Sequence, residues 1–225
     1  MNNIPFETLR ALYQKELEHI ETQRAALAAE LHGGILNSLI NLKMRVDGRT
    51  ASQEFLDQCD LLIGRLRQTV KELRPAMLNY GLRFALQSLV DELSDNAADG
   101  TAIWLEVDAE GTGHDQQLEL HIYRITQQAC ENALQHGAPK TLVVRGRIEP
   151  GLIDLTVEDD GRGFEAGAAL DLAQLVSRKQ YGLATMFARA ALIGAEVSVD
   201  SAVGAGTRVR IVWRGQSAPA RLHSR

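Results

Sequence analysis

Two glycine-rich segments in the last third of the chain combine residues that can hold a purine nucleotide. The first follows a short alternating strand and has the spacing DxGxG over Asp159, Gly161 and Gly163, and the second follows another strand and has the spacing GxGT at residues 204–207. A carboxylate can accept a hydrogen bond from the exocyclic amine of a purine, and backbone without side chains can close on base and phosphates. Each motif alone is equally typical of an ordinary turn after a strand, so neither identifies such a site by itself.

The elements around these segments make the interpretation more specific. A helix with apolar residues at helical spacing is predicted over residues 115–136, and it carries Asn132 and His136. A further helix opens at Gly182, between the two glycine-rich segments. An asparagine on a helix, DxGxG, a glycine before a helix and GxGT, in this order, resemble the four sequence boxes of the GHKL ATPases. That family includes the histidine kinases and DNA gyrase B.

The resemblance implies that this part of the chain binds ATP and Mg²⁺. Asn132 would coordinate the Mg²⁺ that bridges the phosphates, His136 would approach the phosphate chain, and Asp159 would hold the adenine. The residues implied to shape the pocket are Gly161, Gly163, Gly182, Gly204, Gly206 and Thr207. The segment from Phe164 to Gln180 would be a lid over the nucleotide.

The amino-terminal third has the pattern of a helical hairpin. Apolar residues recur at steps of three and four over residues 6–46, with Arg24 in the seam, and a second such stripe covers residues 55–73. Turn-forming residues 47–50 join the two helices, and Pro75 helps to end the second one. Because a two-helix hairpin cannot bury both of its faces alone, we expect a homodimer whose hairpins form a four-helix bundle.

A histidine lies beside the seam of the first predicted helix. Within Glu30–Asn37, His32 directly follows the seam position Leu31, so its ring should project toward water. By itself this position is typical of an ordinary surface histidine. This segment, followed by Glu72–Pro75 and then by the GHKL boxes, resembles the sensor histidine kinases of the nitrate-sensor type from about Glu18 to about Trp213. The resemblance implies that ATP phosphorylates His32, which then donates the phosphoryl group to an aspartate in the receiver domain of a response regulator.

Three positions depart from the pattern of that family. Gly33 replaces the acidic residue that follows the phosphorylated histidine, and losing such a base typically costs about 10²- to 10⁴-fold in rate. Asn37 replaces the glutamine that aligns water for dephosphorylating the regulator, and it offers the same amide groups on a shorter side chain. Gln128 replaces a glutamate four residues before Asn132, so that a neutral amide stands where the family has a carboxylate.

Two alternatives of a different class remain. A pseudokinase would bind ATP, dimerise and dock a response regulator without phosphorylating itself, and Gly33 and Gln128 favour this reading, whether Gly33 is natural or an engineered change. A GHKL serine kinase acting on an anti-anti-sigma factor would lack the histidine-bearing hairpin. The apolar stripes over residues 6–73 therefore argue against the serine kinase.

Composition agrees with a two-domain protein that does not insert into a membrane. The 225 residues are 45% hydrophobic and 24% charged, which suits a hairpin plus one compact domain. No apolar run approaches the roughly 20 residues that span a bilayer, and no signal peptide opens the chain. Cys59 and Cys130 lie on apolar helix faces and are expected to be small core residues with free thiols. Because free thiols are typical of a reducing compartment, we expect a cytoplasmic location. A net charge of −5 gives no case for nucleic-acid binding.

We therefore expect an α+β protein with three parts. These are a dimerisation and phosphotransfer hairpin over residues 4–78, a GHKL α/β sandwich over 79–214 that binds ATP, and a disordered tail over 215–225. The sandwich should contain helices near 82–96, 115–136 and 182–193 and strands near 102–108, 141–148, 152–158, 196–200 and 207–213, with helices on one face of a mixed sheet. The signal would come from an upstream sensor domain removed from this fragment, which the stripe already running at Phe6 favours, or from a sensory partner.

Overall fold

The computed structural model describes residues 6–46, 52–97, 100–111, 113–165, 175 and 181–215. The chain divides into two compact units, one of Lys15–Ala76 and another that contains the described residues from Met77 onward. The expected turn at residues 47–50, the tail after Gly215 and most of the expected lid lie outside the described residues. Within the described part, no helix has the length and apolar character needed to cross a membrane.

The helical unit is built from long helices. Helix α1 spans Phe6–Glu30 and continues through a π-helical segment at Leu31–Leu36 into α2 at Asn37–Val46, and α3 spans Gln53–Leu73. The hydroxyl of Ser52 caps α3 by accepting a hydrogen bond from the backbone N–H of Phe55 at 3.3 Å. Lys43 on α2 pairs with Asp60 on α3 at 2.7 Å, so charge as well as packing joins the two helices.

One apolar face of these helices is buried within the chain. Leu17, Ala28 and Leu36 are buried on the first helix and its continuation, and Cys59 and Ile63 are buried on α3. Ala28 and Leu36 are one residue further apart than a heptad allows, and the π-helical segment between them supplies the extra residue. The hairpin therefore keeps a continuous internal face across an irregular turn.

A second apolar face of the same helices is open. Leu27 is 45% exposed, Ile35 is 55% exposed and Leu42 is 50% exposed, although all three belong to the stripe that the sequence assigned to one seam. The single stripe is thus divided between an internal face and an open one, both before and after the π-helical segment. We call Leu27, Ile35 and Leu42 the open apolar face.

The second unit is an α/β sandwich. After a 3₁₀ segment at Ala76–Tyr80 its helices are α4 at Leu82–Asn96, α5 at Gln116–Asn132 with a π-helical continuation at Ala133–Gly137, and α6 at Tyr181–Ile193. Its strands are β1 at Ala102–Ala109, β2 at Thr141–Glu149, β3 at Leu152–Asp159, β4 at Glu196–Ser201 and β5 at Thr207–Arg214. Each strand begins where the sequence predicts and ends one residue later, and the expected α+β class is confirmed.

The sheet is mixed, and its helices pack on one face. Its five strands lie in the order β1-β2-β3-β5-β4, with β1 and β2 parallel and the other neighbours antiparallel. The core joins Leu86 of α4, Ile122 of α5 and Met186 of α6 to Leu155 of β3 and Ile211 of β5, all of them fully buried. These apolar contacts fix α5 and α6 over the centre of the sheet.

The opposite face of the sheet carries charges whose sign alternates from strand to strand. Glu106 faces Arg145 across β1 and β2, and Glu158 faces Arg208 across β3 and β5. Arg145 lies 3.5 Å from Glu158, and Arg208 lies 2.6 Å from the same carboxylate. Such exposed pairs stabilise by at most about 1 kcal/mol each, but they make this face self-neutralising and solvated. We therefore expect a ligand cavity on the helical side of the sheet.

Candidate functional site

A cavity of about 440 Å³ opens between the sheet and the helices α5 and α6. Its apolar walls come from the strands and from α6, and they include Val157, Val209, Leu183 and Met186. Its polar lining includes four residues that the sequence singled out, Asn132, His136, Asp159 and Thr207. A slot with apolar walls and few polar groups is the usual form of a site for a flat aromatic ligand.

Asp159 places a carboxylate in the wall of this cavity. It is the last residue of β3 and is only 7% exposed, and its Oδ1 accepts a hydrogen bond from the backbone N–H of Gly161 at 2.8 Å. Burial raises the pKa of this carboxyl above its usual value, and the hydrogen bond from Gly161 opposes that shift. An ionised carboxylate has about four acceptor positions, so Asp159 can also accept a hydrogen bond from a ligand amine.

The neighbouring Asp160 has a structural role instead. Its side chain is exposed, and its Oδ1 accepts hydrogen bonds from the backbone N–H groups of Lys140 and Thr141, each at 2.8 Å. The hydrogen bond from Thr141 is the main cause that lowers the pKa of Asp160 below its usual value. Asp160 thus ties the end of β3 to the start of β2, and only Asp159 of the two faces the cavity.

The two glycine-rich segments contact each other backbone to backbone. Gly206 has φ of +75°, and a Cβ there would collide with the carbonyl oxygen of Asp159. Gly163 has φ of +57°, and a Cβ there would collide with the carbonyl oxygen of Ala202 and would lie 2.7 Å from that of Gly206. Gly204 also has a positive φ, +81°, but open space surrounds it. Close approach therefore requires glycine at residues 163 and 206, and only the backbone angle favours it at residue 204.

A third glycine lets the end of the π-helical segment approach the strand. A Cβ at Gly161 would lie 2.6 Å from the carbonyl oxygen of Gly137 and 2.8 Å from Oδ1 of Asp159. The backbone N–H of Arg162 donates to the same carbonyl of Gly137 at 2.9 Å. The DxGxG turn is thus held against the helix that carries Asn132 and His136.

Ser201 joins the two glycine-rich segments, and the sequence reasoning missed it. Its hydroxyl oxygen accepts a hydrogen bond from the backbone N–H of Phe164 at 2.9 Å. The same hydroxyl donates to the carbonyl oxygen of Gly206 at 2.9 Å, and it lies 3.0 Å from the hydroxyl of Thr207. The sequence gives only a weak indication of this role, because a serine at the start of a turn commonly forms hydrogen bonds with local backbone.

Asn132 and His136 lie where α5 changes into its π-helical continuation. Asn132 ends α5, and His136 belongs to Ala133–Gly137, and both side chains line the cavity. π-Helical turns of this kind occur frequently at functional sites. The sequence predicted one continuous α-helix that carries both residues, because helical periodicity does not distinguish a π-helical turn from an α-helical one.

Gln128, Asn132 and Gly182 form a close group at the edge of the cavity. Nε2 of Gln128 donates to Oδ1 of Asn132 at 3.1 Å. A Cβ at Gly182 would lie 3.0 Å from Oδ1 of Asn132 and 3.3 Å from Nε2 of Gln128. The start of α6 therefore contacts the amide pair directly, and a side chain at residue 182 would press on it.

His32 lies in the other unit, on the π-helical segment Leu31–Leu36, and is exposed. Gly33 and Gly34, which follow it, have no atom within 4 Å of the position a Cβ would take. Nδ2 of Asn37 donates to the carbonyl oxygen of Gly33 at 3.3 Å. The predicted residues His32 and Asn37 thus flank one irregular turn that two glycines make possible.

The contact between the two glycine-rich segments gives a first prediction. Gly206→Ala should lower the free energy of unfolding by at least about 2 kcal/mol more than Gly204→Ala, because only the former collides with backbone. Gly204→Ala should cost about 1 kcal/mol for its left-handed backbone angle. Chemical denaturation of both variants measures the difference. Equal losses would show that the Gly206 turn can move away from Asp159 at little cost.

Comparison with known proteins relates this cavity to a family. Residues 117–216 match the family described as histidine kinase-, DNA gyrase B-, and HSP90-like ATPase. An uncharacterized sensor-like histidine kinase of Chloroflexus aurantiacus is 30% identical over 213 residues, which are 88% of this chain and 35% of that protein. The oxygen sensor histidine kinase NreB of Staphylococcus carnosus is 28% identical over 213 residues, 90% of this chain and 59% of that protein. The chain thus spans between about a third and three fifths of these curated relatives.

A solved structure supports the fold. The histidine kinase domain of a blue-light activated histidine kinase from Erythrobacter litoralis superposes with a TM-score of 0.50 at 19% identity, covering 79% of this chain and 93% of that chain. At this identity the likeness concerns the fold alone. The sequence matches show that the chain belongs to the sensor histidine kinases and carries their GHKL-type ATPase domain.

Proposed function

We propose that this chain is the core of a two-component sensor histidine kinase, which transfers the γ-phosphoryl group of ATP to His32 and then to an aspartate of a response regulator. The observation that carries the proposal is the cavity in which the buried carboxylate of Asp159 lies between apolar walls and beside two glycine-rich turns. The similarity to NreB supports an assignment to the nitrate-sensor type.

We place the adenine of ATP at the Asp159 end of the cavity and its phosphates at the other end. The adenine amine would donate to Asp159 while Val157, Leu183, Met186 and Val209 contact the ring faces. The phosphates would then extend toward Asn132 and His136, with backbone of the glycine turns close to them. The other residues proposed to shape the site are Gly161, Gly163, Gly182, Gly204, Gly206 and Thr207.

The donor set fits Mg²⁺ held mainly by the nucleotide. Among the described residues no group of three or more His, Cys, Asp or Glu side chains could hold a metal ion, so a protein cage is absent there. Mg²⁺ commonly uses one or two protein oxygens, the substrate phosphates and water, and Oδ1 of Asn132 lies in the cavity wall as such an oxygen. When bound, Mg²⁺ would neutralise charge on the phosphates during transfer.

His32 can serve as the nucleophile because it is exposed on a helix that the hairpin holds in place. A nitrogen of the neutral imidazole would bond to the γ-phosphorus as the bond to the ADP oxygen breaks and ADP leaves. The carboxylate of the regulator's receiver domain would then displace the imidazole and take the phosphoryl group. Asn37, held on the carbonyl of Gly33, is the proposed residue for aligning the water that hydrolyses the regulator's phosphoaspartate to aspartate and inorganic phosphate.

The proposed partners follow from the helical unit and from the relatives. A second copy of the chain would cover the open apolar face and complete a four-helix bundle. A receiver domain would dock to receive the phosphoryl group, and an upstream sensor domain or sensory partner would supply the signal. Since both ATP and a receiver domain are needed, we propose that this segment works in the cytoplasm.

The role of Asp159 gives a binding prediction. Asp159→Asn should weaken the binding of a fluorescent ATP analogue at least about tenfold, because the substituted amide can turn an N–H rather than an acceptor toward the adenine amine. Asp160→Asn is the matched control and should change binding less than about twofold, since its Oδ1 can still accept from Lys140 and Thr141. Equal losses at both positions would show that Asp159 is not the adenine acceptor.

The turn at His32 gives a prediction about catalysis. Gly33→Asp should raise autophosphorylation from γ-labelled ATP by about 10²-fold, because it restores a base next to the imidazole and has room for its side chain. Gly33→Ala is the control, since it removes the same helix-weakening glycine without adding a carboxylate, and it should leave the rate almost unchanged. His32→Ala with Gly33→Asp should abolish the acid-labile label. If nucleotide binds but neither the unchanged chain nor Gly33→Asp becomes labelled, the result would instead favour the pseudokinase.

The open apolar face gives a prediction about assembly. The unchanged chain should be a dimer by light scattering, and Leu42→Asp should make it monomeric because the new charge would be buried in the bundle. Ser38→Asp adds the same charge at an exposed polar position of the same helix and should leave the dimer intact. A monomeric unchanged chain at about 10 μM would contradict the bundle.

A further inference from the structure

Tyr181 places an aromatic ring at the opening of the cavity. It is the first residue of α6, it lines the cavity, and it is 56% exposed. Leu183 and Met186 line the same cavity from the same helix, but both of them are buried members of the hydrophobic core. The large side chain that α6 leaves open to solvent in the cavity lining is therefore that of Tyr181.

The packing of the domain makes little use of this ring. Among the described residues, the core and the side chains packed against it include Leu183 and Phe187 of α6 but not Tyr181. Substitutions of exposed side chains outside the core usually change the free energy of unfolding only slightly. Replacing Tyr181 should therefore leave the fold intact, so that an effect on ligand binding can be separated from an effect on stability.

The residue next to Tyr181 shows which part of a nucleotide the ring would meet. A Cβ at Gly182 would lie 3.0 Å from Oδ1 of Asn132, so the first turn of α6 lies toward the end of the cavity that Asn132 lines. With the adenine at Asp159 and the phosphates extending toward Asn132, the ribose would lie between these two ends. The ring of Tyr181 is therefore placed for the ribose rather than for the adenine edge at Asp159.

We infer that Tyr181 packs its ring against the ribose of the bound nucleotide and thereby favours nucleosides and nucleotides over the free base. The inference rests on the proposed function. A tyrosine suits this position because its ring face is apolar, like the C–H groups of the sugar, while its hydroxyl can remain in water. The ligand would in turn cover a large ring that the chain alone leaves in contact with solvent.

Protection of the ring from oxidation measures this contact directly. Hydroxyl-radical labelling of the full chain, followed residue by residue by mass spectrometry, should modify Tyr181 at least about threefold more slowly in saturating ADP and Mg²⁺ than without nucleotide. Tyr80 is also exposed but does not line the cavity, so its rate should stay unchanged. Binding of ADP without protection of Tyr181 would overturn the inference and leave the proposed function intact. Equal protection of Tyr80 would overturn it too, because the shielding would then be general.

Dissociation constants of variants test which part of the ligand the ring contacts. In calorimetric competition titrations of the full chain with Mg²⁺, Tyr181→Ala should weaken the binding of ADP and adenosine at least about fivefold, and that of free adenine less than about twofold. Tyr181→Phe keeps the ring and should bind all three ligands within about twofold of the unchanged chain. Tyr80→Ala is the matched control outside the cavity lining and should alter none of these constants.

The remaining outcomes are equally decisive. Binding of ADP by Tyr181→Ala within about twofold of the unchanged chain would overturn the inference. An equal loss of adenine binding would place the ring on the base, and an equal loss in Tyr181→Phe would assign the contact to the hydroxyl, so either result would contradict it. If Tyr181→Ala does not fold, the labelling of the unchanged chain still decides. Absence of both ADP and ATP binding by the unchanged chain would refute the proposed function itself.

Discussion

The close approach of two backbone turns around Asp159 is the constraint on which the proposed nucleotide site depends. Gly206 lies against the carbonyl of Asp159, and Gly163 lies against the carbonyls of Ala202 and Gly206, at distances that no Cβ would permit. The hydroxyl of Ser201 then bridges both turns with hydrogen bonds. Because the strands β3 and β5 are paired up to these turns, the core of the sheet fixes where the carboxylate of Asp159 points. The cavity wall therefore inherits the rigidity of the sheet.

The two helices that carry proposed phosphate chemistry share one irregularity. A π-helical turn follows Leu31 in the hairpin, and another follows Asn132 in the sandwich. Each turn adds a residue relative to an α-helix and thereby changes which side chains face the same way. In the hairpin the added residue moves the internal face from Ala28 to Leu36 and leaves Ile35 on the open side. In the sandwich it brings His136 to the cavity that Asn132 also lines.

Charge is distributed unequally around the sheet. On the solvated face, Arg145 and Arg208 both pair with Glu158, so that face neutralises itself. At the polar end of the cavity the proposed phosphates would instead meet the amide of Asn132 and the imidazole of His136. The buried carboxylate of Asp159 belongs to the adenine end of the proposed ligand. This separation keeps negative charge away from the place where the phosphates would bind.

The sequence by itself predicted the elements and most of the polar residues that line the cavity. The alternation of Thr207–Trp213 and the glycine spacing after β3 predicted the strands, and the order of the boxes predicted that Asn132, His136, Asp159 and Thr207 would meet. The strands and turns are local features, because strand period and turn chemistry depend on neighbouring residues, whereas the meeting of the four site residues was implied by the resemblance to the GHKL ATPases.

Tertiary structure alone decided the rest. It introduced the π-helical turns, divided the apolar stripe between two faces, recruited Ser201 and placed Gln128 on the oxygen of Asn132. The hydrogen bond between Ser201 and Phe164 joins residues far apart in the sequence, and helical periodicity alone predicts neither a π-helical turn nor which end of the Asn132 amide a glutamine binds.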